Sequence, residues 1–522
     1  MSTIAARTAA CLVFACTACF SDGGLHTTGA GITTTSSTTG DGPFLDTTTG
    51  GPTTTTTTGG ATTTAGPEPV CGDGELDPGE ACDDGNDDDS DACLTDCRAA
   101  SCGDGVVHVG VEACDDGPAN HPSEPTACRP GCIKPACGDG ALYVGPLGPP
   151  IVLATDASAQ QSDDNPRAIG VTADGTFKVA WRVNGLFDRI DVQTVAADGS
   201  LVDTPLDLAD PPAQVIRDPV LAVAPVGDLA LAWEVNGNNN DVVVRGVVAD
   251  VGLPGINGVV HEGPLQQSPA IALDDQGRLT LAFVGAVFPA MYHVHVRRLD
   301  NFDPDSPPEF TISEHEAGIP SAPTVALLPD GAFVVAWGDP GGAILYRRFA
   351  ADATPGPLVT TALRTGGLAL ADNRSPWSGL AVTPDLGVVI GGVGEDGLVD
   401  LQTFDAGDLP QQIVAVSEAP RMHAPFVDIG SDAWGNLAVA WAECGDAGEQ
   451  AEDCSGVASD LRLRWFRADL TPHAAPAAVH SVMVGSPPAL GLAMAADGVT
   501  GVTYVAGGDV LVRVAGLACP AP

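Results

Sequence analysis

The chain has 522 residues, and its 67 acidic against 22 basic side chains give a formal net charge of −45. A surface this acidic repels phosphate groups, so the composition excludes nucleic-acid binding and electrostatic attachment to anionic lipid. No apolar run reaches the roughly 20 residues that a membrane-spanning helix needs. The length allows two or three domains with one large core.

Residues 1–19 have the layout of a secretory signal. One basic residue, Arg7, precedes an apolar run that extends from Ala9 to Phe20. Cys16 and Cys19 each follow small residues, and this arrangement resembles the lipobox of bacterial lipoproteins. The resemblance implies a lipidated cysteine, for which we expect Cys19, with Cys16 as the alternative. Ordinary signal cleavage near the same place is the other interpretation.

Residues 20–70 are a tract rich in Thr, Gly and Pro with almost no large apolar side chain. Such a segment cannot bury enough apolar surface to offset its ordering entropy, so it is predicted to be a disordered linker. A flexible coil of about 50 residues has a root-mean-square span of roughly 40 Å. We interpret it as a spacer between an anchor and a displayed domain.

Residues 71–148 form a predicted cysteine module. Nine of the fifteen cysteines lie there, in the repeat CGDGELDPGEACDDGNDDDSDACLTDC and its partial copy CGDGVVHVGVEACDDG. The pattern resembles the myxobacterial cysteine-rich repeat of bacterial surface proteins, although Pro118 stands where the second copy should have Asn. That resemblance implies a surface location and a disulfide-pinned fold, and it implies no activity.

The cysteine spacing favours disulfides over zinc, because pairs separated by three residues and flanked by Asp are unlike tetrahedral zinc ligands. Twelve cysteines remain once the signal cysteines are set aside, and an even number can pair completely. We expect Cys444 and Cys454 to close a surface hairpin and Cys519 to pair with the odd cysteine of the module. The expected disulfide cysteines are Cys71, Cys82, Cys93, Cys97, Cys102, Cys114, Cys128, Cys132, Cys137, Cys444, Cys454 and Cys519.

Five carboxylates crowd one loop of the module and form a candidate calcium site: Asp83, Asp84, Asp87, Asp89 and Asp91. Hard oxygen ligands at this density attract calcium, because the carboxylates repel one another until a cation bridges them. The loop lacks the glycine and the final acidic ligand of an EF-hand. A solvated acidic turn without an ion is the alternative.

Residues 149–522 contain seven copies of a unit of about 50 residues, each with an apolar stretch, a tight turn that is often Asp-Gly, and a second apolar run such as FVVAW. Four short strands per unit without helical periodicity are typical of β-propeller blades. The chain is therefore predicted to be all-β: a seven-bladed β-propeller preceded by the disulfide-rich module and the disordered Thr-rich linker.

Two columns of side chains recur in these units. An aromatic column at the end of the second strand is expected to be core between blades: Trp181, Trp233, Phe283, Trp337, Trp441 and Tyr504. A polar column in the third strand is expected to bond turns or carbonyls between blades, with a ligand-facing basic ring as the alternative: Gln193, Arg245, Arg297, Arg347, Gln402, Arg464 and Arg513. Residues 150–155 resemble an outer strand and should complete the last blade.

Few residues of the sequence are candidates for catalysis or metal binding. His293 and His295 alternate on one strand and would ligate a metal only if a third ligand converged, so we expect strand histidines without metal. The polar loops at Asn236–Asp241 and near Asp303 fit ordinary turns as well as binding loops. The Ser-x-Asp-x-Gly-x-x-Trp turn of sialidase-like propellers is absent, as are nucleophile-elbow, HExxH and phosphate-loop motifs.

These features predict an exported, lipid-anchored protein at the cell surface or outer membrane, which displays a propeller for binding polysaccharide or another surface protein. The expected contact with the membrane is through the lipid only. The alternative is an extracellular glycan hydrolase or lyase on the same scaffold. Convergent carboxylates, His or Tyr in one funnel would favour the enzyme.

Overall fold

The computed structural model describes residues 70–122, 124–137, 139–155, 168–183, 188–209, 215–236, 241–248, 251–252, 266–287, 291–300, 309–313, 318–365, 378–418, 426–444, 459–482 and 490–519. The predicted signal, its two candidate lipidation cysteines and nearly all of the predicted linker lie outside these ranges. The described part is all-β apart from one short 3-10 helix, Gly117–Ala119. None of its helices is both long and apolar enough to cross a membrane.

Strands follow one another in seven groups, which we call repeats one to seven. Repeat one has β3 (Ile169–Val171), β4 (Phe177–Val183), β5 (Arg189–Val195) and β6 (Leu201–Ala209). Repeat two has β7 (Val215–Val223), β8 (Leu229–Asn236), β9 (Asp241–Val248) and β10 (Val251–Gly252). Repeat three has β11 (Gln266–Leu273), β12 (Arg278–Val287), β13 (Met291–Asp300) and β14 (Phe310–Thr311).

The remaining repeats have the same antiparallel order. Repeat four has β15 (Thr324–Leu327), β16 (Phe333–Gly338), β17 (Ala343–Phe349) and β18 (Pro355–Arg364), and repeat five has β19 (Gly379–Val382), β20 (Val388–Val393), β21 (Val399–Phe404) and β22 (Pro410–Ala415). Repeat six has β23 (Phe426–Ser431), β24 (Leu437–Cys444), β25 (Ser459–Phe466) and β26 (Ala477–Val482). Repeat seven has β27 (Leu490–Met494), β28 (Thr500–Ala506) and β29 (Asp509–Leu517), joined by β1 (Val144–Leu147) and β2 (Ile151–Ala154) from the start of the described chain.

The first strands of successive repeats form a closed circuit. β3 contacts β7, and the contacts continue through β11, β15, β19 and β23 to β27, which returns to β3. Sheets that follow one another around an axis in this way are the arrangement of a β-propeller. The prediction of an all-β, propeller-type fold is therefore confirmed, and we call this part of the molecule the repeat ring.

Repeats four and five share one eight-stranded sheet, because β18 and β20 pair at Arg364 and Val393. A missing aromatic residue explains this contact. Gly392 occupies the position that an aromatic side chain fills in the other six repeats, and a β-carbon there would lie 2.9 Å from the carbonyl oxygen of Arg364. Because no aromatic side chain separates the two sheets at this position, β18 and β20 approach closely enough to pair. The count of seven blades stays a prediction, since it depends on dividing this sheet between two repeats.

The ring closes as predicted. Residues Ile151 and Val152 pair with Val512 and Leu511, so β2 completes the sheet of repeat seven as its outer strand. β1, which the sequence assigned to the cysteine module, pairs with β29 as well. A disulfide between Cys137 and Cys519 lies next to this closure.

The aromatic column is buried between repeats, as predicted. All six of its side chains are at most 2% exposed. Each one packs on the preceding repeat: Trp233, for example, clusters with Ile190 and Val192, and Trp441 clusters with Val389 and Leu401. Burial of one such side chain contributes about 3 kcal/mol or more. The aromatic column therefore contributes much of the packing energy between neighbouring sheets.

Three members of the polar column bond backbone groups of the preceding repeat, as the structural interpretation predicted, whereas Gln193 Nε2 donates to carbonyl oxygens of its own repeat. Arg464 Nη1 donates to the carbonyl oxygen of Val416 at 2.8 Å, and Arg513 Nη1 donates to that of Val479 at 2.7 Å. Gln402 Oε1 accepts the Ala362 N–H at 2.7 Å. In each case the partner belongs to the preceding repeat, so these long side chains satisfy backbone groups where adjacent sheets meet.

The cysteine module is held by disulfides and carboxylates instead of a large core. Its bridges join Cys71 to Cys97, Cys82 to Cys93, Cys102 to Cys132 and Cys114 to Cys128. It contacts the ring at repeat six, where Arg467 Nη2 lies 3.0 Å from Glu124 Oε1 and Asn436 Nδ2 lies 3.5 Å from the Gly140 carbonyl oxygen. We call this side of the ring the turn face, because the tight turns between first and second and between third and fourth strands lie there. The opposite side is the loop face.

Candidate functional site

A cleft of about 470 Å³ opens between repeats five and six on the turn face. Its apolar surface comes from Val388, Phe404, Leu470 and Trp434, among others, and its polar surface includes carboxylate, hydroxyl and amide groups. We call it the Trp434 cleft. Its lining residues, all within the described ranges, include no His, Cys, Lys or Arg. The cleft can therefore offer an aromatic surface, carboxylates and hydrogen-bonding groups.

Trp434 is the exposed aromatic group of this cleft and keeps 36% of its surface accessible, whereas Phe404 is buried. It stands in the turn that joins β23 to β24, where the other repeats have residues such as Asp174, Val226 or Asp330. The buried Asp432 carboxylate anchors the turn by accepting the Trp434 N–H and the Asn436 N–H, each at 2.9 Å. Burial raises the pKa of Asp432, and the hydrogen bonds from Asn436 and the turn backbone oppose that rise.

The cysteine module supports the indole from one side. A β-carbon on Gly140 would lie only 3.3 Å from Trp434 Cδ1, so the glycine lets the module backbone approach the ring. The same Gly140 carbonyl oxygen is near Asn436, which belongs to the anchored turn. The tryptophan is thus fixed between two parts of the chain while it lines the cleft. Such pre-organisation lowers the entropy cost of binding.

The polar groups of the cleft come mainly from repeat five. Asp405 Oδ1 accepts the N–H groups of Gly407 and Leu409, and its Oδ2 accepts a bond from Gln411 Nε2 at 3.0 Å. Asp385 accepts the hydroxyl of Thr383 at 2.5 Å. Gln411 and Gln412 are exposed at the rim. An aromatic face beside carboxylate, hydroxyl and amide groups can bind a polyhydroxylated ligand, which presents C–H faces and hydroxyls together.

The five acidic residues of the predicted calcium site do not converge on one point in the structure. The Asp83 carboxylate instead accepts hydrogen bonds from the backbone N–H groups of four residues: Gly72, Asp73, Gly74 and Gly85. Desolvation acts in the opposite direction, but these bonds hold the pKa of Asp83 below its ordinary value. Within the described ranges, no three of the five acids bring ligand atoms within 4.8 Å of one another.

The other four acids divide into separate contacts. Desolvation and the neighbouring Asp91 carboxylate raise the pKa of Asp84, and Asp89 accepts the Thr95 N–H. The Asp87 carboxylate lies near Gly72, where a β-carbon would be 3.2 Å from its Oδ1. Calcium binding at this loop stays a prediction.

The bonding of Asp83 explains the repeated motif. In the second copy, Asp115 accepts the N–H groups of Gly103, Asp104, Gly105 and Gly117 in the same way. Although desolvation opposes ionisation, these bonds and one from Asn120 lower the pKa of Asp115 to about 2. The Cys-Gly-Asp-Gly and Cys-Asp-Asp-Gly segments are therefore the two halves of one anion-binding turn, filled by the chain's own carboxylate.

Within the described residues, neither His293 nor His295 belongs to a group of three side chains that could hold a metal ion. The His295 ring stacks on Phe283 with centroids 5.4 Å apart and an interplanar angle of 15°, and its Nδ1 lies 3.3 Å from Glu309 Oε1. His293 Nδ1 lies 3.2 Å from the Ser313 carbonyl oxygen. Both histidines thus have structural contacts in repeat three.

Other predicted features fall outside the described residues. The Cys454 side chain and that of Cys444 are among them, as are most of the loops at Asn236–Asp241 and near Asp303. Trp434 was not among the residues that the sequence patterns pointed to. One signal was available: Trp434 stands in a turn of its repeat, whereas the tryptophans of the aromatic column stand at the ends of second strands.

No protein-family model matches the chain, and no curated protein matches it either. Among solved structures, similarity extends to a protein of unknown function from Dyadobacter fermentans (11% identity, 58% of this chain and 95% of the other, TM-score 0.41). It also extends to an α-L-arabinofuranosidase from Fusarium graminearum solved with an iminosugar inhibitor (12%, 59% and 94%, TM-score 0.38) and to the SapL1 lectin solved with α-methyl fucoside (11%, 63% and 99%, TM-score 0.38). These similarities are too low to assign a function to this chain.

Proposed function

We propose that this chain is an exported, lipid-anchored cell-surface protein that binds polysaccharide through the Trp434 cleft. The observation that carries the proposal is a partly exposed indole, on an anchored turn and against Gly140, beside carboxylate, hydroxyl and amide groups. The absence of cationic side chains from the lining favours a neutral glycan over an anionic one, because acidic sugars would meet Asp385 and Asp405.

Glycan-array binding of the full chain, with and without a calcium chelator, tests this function. We expect retention of neutral glycans, and we expect Trp434→Ala to reduce binding at least tenfold because it removes the stacking surface. Gln412→Ala, at the exposed rim, tests the polar side of the cleft with little risk to folding. Val226→Ala is the matched control, since Val226 holds the same turn position in repeat two and is 71% exposed.

The array also separates binding from catalysis. Asp385 and Asp405 both line the cleft, and glycosidases use pairs of carboxylates, so release of reducing ends is measured on every retained glycan. If wild type cleaves a retained glycan and Asp405→Asn does not, the hydrolase replaces the binding proposal. Equal binding by wild type and Trp434→Ala would contradict the assignment of the cleft.

The proposed anchor has a separate test. Metabolic labelling with a fatty-acid analogue should modify the wild-type chain, and Cys19→Ser should lose the label because the thiol is removed. Cys16→Ser is the matched control and should keep it. Loss of label in Cys16→Ser alone would move the anchor to Cys16, and an unlabelled wild type would contradict the lipoprotein proposal.

A further inference from the structure

Asp400 is a buried carboxyl group in β21 of repeat five. It is 7% exposed, and it pairs through its backbone with Gly392 on one side and Ala415 on the other. Within the described part of the chain, its side chain makes no hydrogen bond and no ion pair. A carboxylate removed from water needs such a partner, because its desolvation otherwise costs several kcal/mol.

A second carboxylate converges on the same point. A β-carbon on Gly394 would lie 3.0 Å from Asp396 Oδ1 and would collide with Asp400 Oδ2. Gly394 therefore leaves room for two acidic oxygens beside its backbone. Asp396 Oδ1 also accepts the Leu398 N–H at 3.1 Å, which fixes this carboxylate in the turn between β20 and β21.

No cationic side chain compensates this pair within the described residues. Arg364 ends the neighbouring strand β18, but it is exposed and its Nη2 lies 3.5 Å from the Gly341 carbonyl oxygen. Burial, together with the negative charge of Asp396, raises the pKa of Asp400 to about 6. The two carboxylates lie side by side at Gly394, and a bound cation would relieve both their repulsion and the desolvation of Asp400.

We propose that Asp396 and Asp400 form a binding site for a divalent cation of the calcium type at the loop face of repeat five. Calcium takes carboxylate oxygens at about 2.3 to 2.6 Å and completes its shell with water, which suits one buried and one surface carboxylate. With only two charged ligands, the expected dissociation constant is on the order of 10⁻⁴ to 10⁻³ M, as in extracellular modules.

The site is independent of the proposed glycan function. It lies at the end of β20 that faces the loop side, whereas the Trp434 cleft is lined by the opposite ends of the strands of repeat five. It is also separate from the acidic loop of the cysteine module. Failure of either proposal therefore leaves the other unaffected.

The experiment is a calcium titration of the chelator-treated full chain at pH 7.5, followed by calorimetry and by the thermal unfolding of the ring. Asp400→Asn and Asp396→Asn should each weaken the ring-associated calcium response at least tenfold. Asp198→Asn is the matched control, because its exposed carboxylate accepts the N–H two residues later just as Asp396 does.

Each result decides the proposal. A calcium-dependent rise in the unfolding temperature of wild type and Asp198→Asn, lost in both site variants, supports it. The same response in all four proteins, or none in any, overturns it. If Asp400→Asn folds poorly, the surface variant Asp396→Asn gives the answer by itself.

Discussion

The repeat ring and the cysteine module are stabilised in opposite ways. The ring buries large aromatic side chains between sheets, and Gln402, Arg464 and Arg513 of its polar column satisfy backbone groups at the same interfaces. The module buries few large side chains, and it is held by four internal disulfides and by carboxylates that accept clusters of N–H groups. A short, glycine-rich segment cannot enclose a core, whereas the successive sheets of the ring provide one another's core.

The strongest test of this contrast is reduction of the disulfides. We expect a reductant to unfold the module, because each bridge contributes about 2 to 4 kcal/mol and little else replaces it. The ring should keep its β-sheet signal in circular dichroism. Limited proteolysis should then cut between residues 70 and 140 first, and a ring that unfolds together with the module would contradict the division.

Truncation of the aromatic column should act on the ring alone. Trp337→Ala removes a fully buried side chain and should lower the free energy of unfolding of the ring by about 3 to 5 kcal/mol. Chemical denaturation measures the loss, and proteolysis of the oxidised module should be unchanged. A loss below about 1 kcal/mol would show that the aromatic column contributes little to the packing between sheets.

Acid should affect the module through Asp115. Its pKa is lowered to about 2, so the folded state is stabilised above the ordinary value near 4 and loses that contribution as the pH falls toward 2. Asp115→Asn should make the module more sensitive to protease at pH 7 and should shrink the change in sensitivity between pH 4 and pH 2. An unaltered pH profile would mean that other carboxylates carry the effect.

The smallest effect is a gain of stability in the ring. The raised pKa of Asp400 means that the folded protein loses stability as the pH rises from about 4 through about 6. With a chelator present, Asp400→Asn should therefore stabilise the ring by about 1 to 2 kcal/mol at pH 8 and leave it unchanged near pH 4. Unfolding curves at the two pH values measure the difference, and an equal effect at both would exclude titration of Asp400.

The same contrast explains what the sequence could predict. The ring follows from a period of about 50 residues and from Trp337 and its equivalents, since a side chain that recurs in every unit must serve the common architecture. The strand at Ile151–Ala154 was predictable because it resembles outer strands elsewhere. Disulfide formation was predictable from spacing, but the partners Cys82 and Cys93 were not, because connectivity depends on the folded path.

The candidate sites were harder to predict because they depend on departures from the repeat. Trp434 replaces a turn residue in one repeat, and its position beside Gly140 requires the module to fold onto repeat six. Gly392 breaks the aromatic column, and only the structure shows that two sheets pair there. The sequence does not reveal the four N–H groups that surround the Asp83 carboxylate, and calcium binding at its loop stays a prediction.

The central functional claim concerns the Trp434 cleft, and the most direct test is a crystal structure of the full chain with a neutral glycan selected on the array. We expect sugar density against the indole of Trp434, between repeats five and six, with a sugar hydroxyl bonded to Asp405 or Gln412. Glycan density at the loop face, with the Trp434 cleft empty, would contradict it.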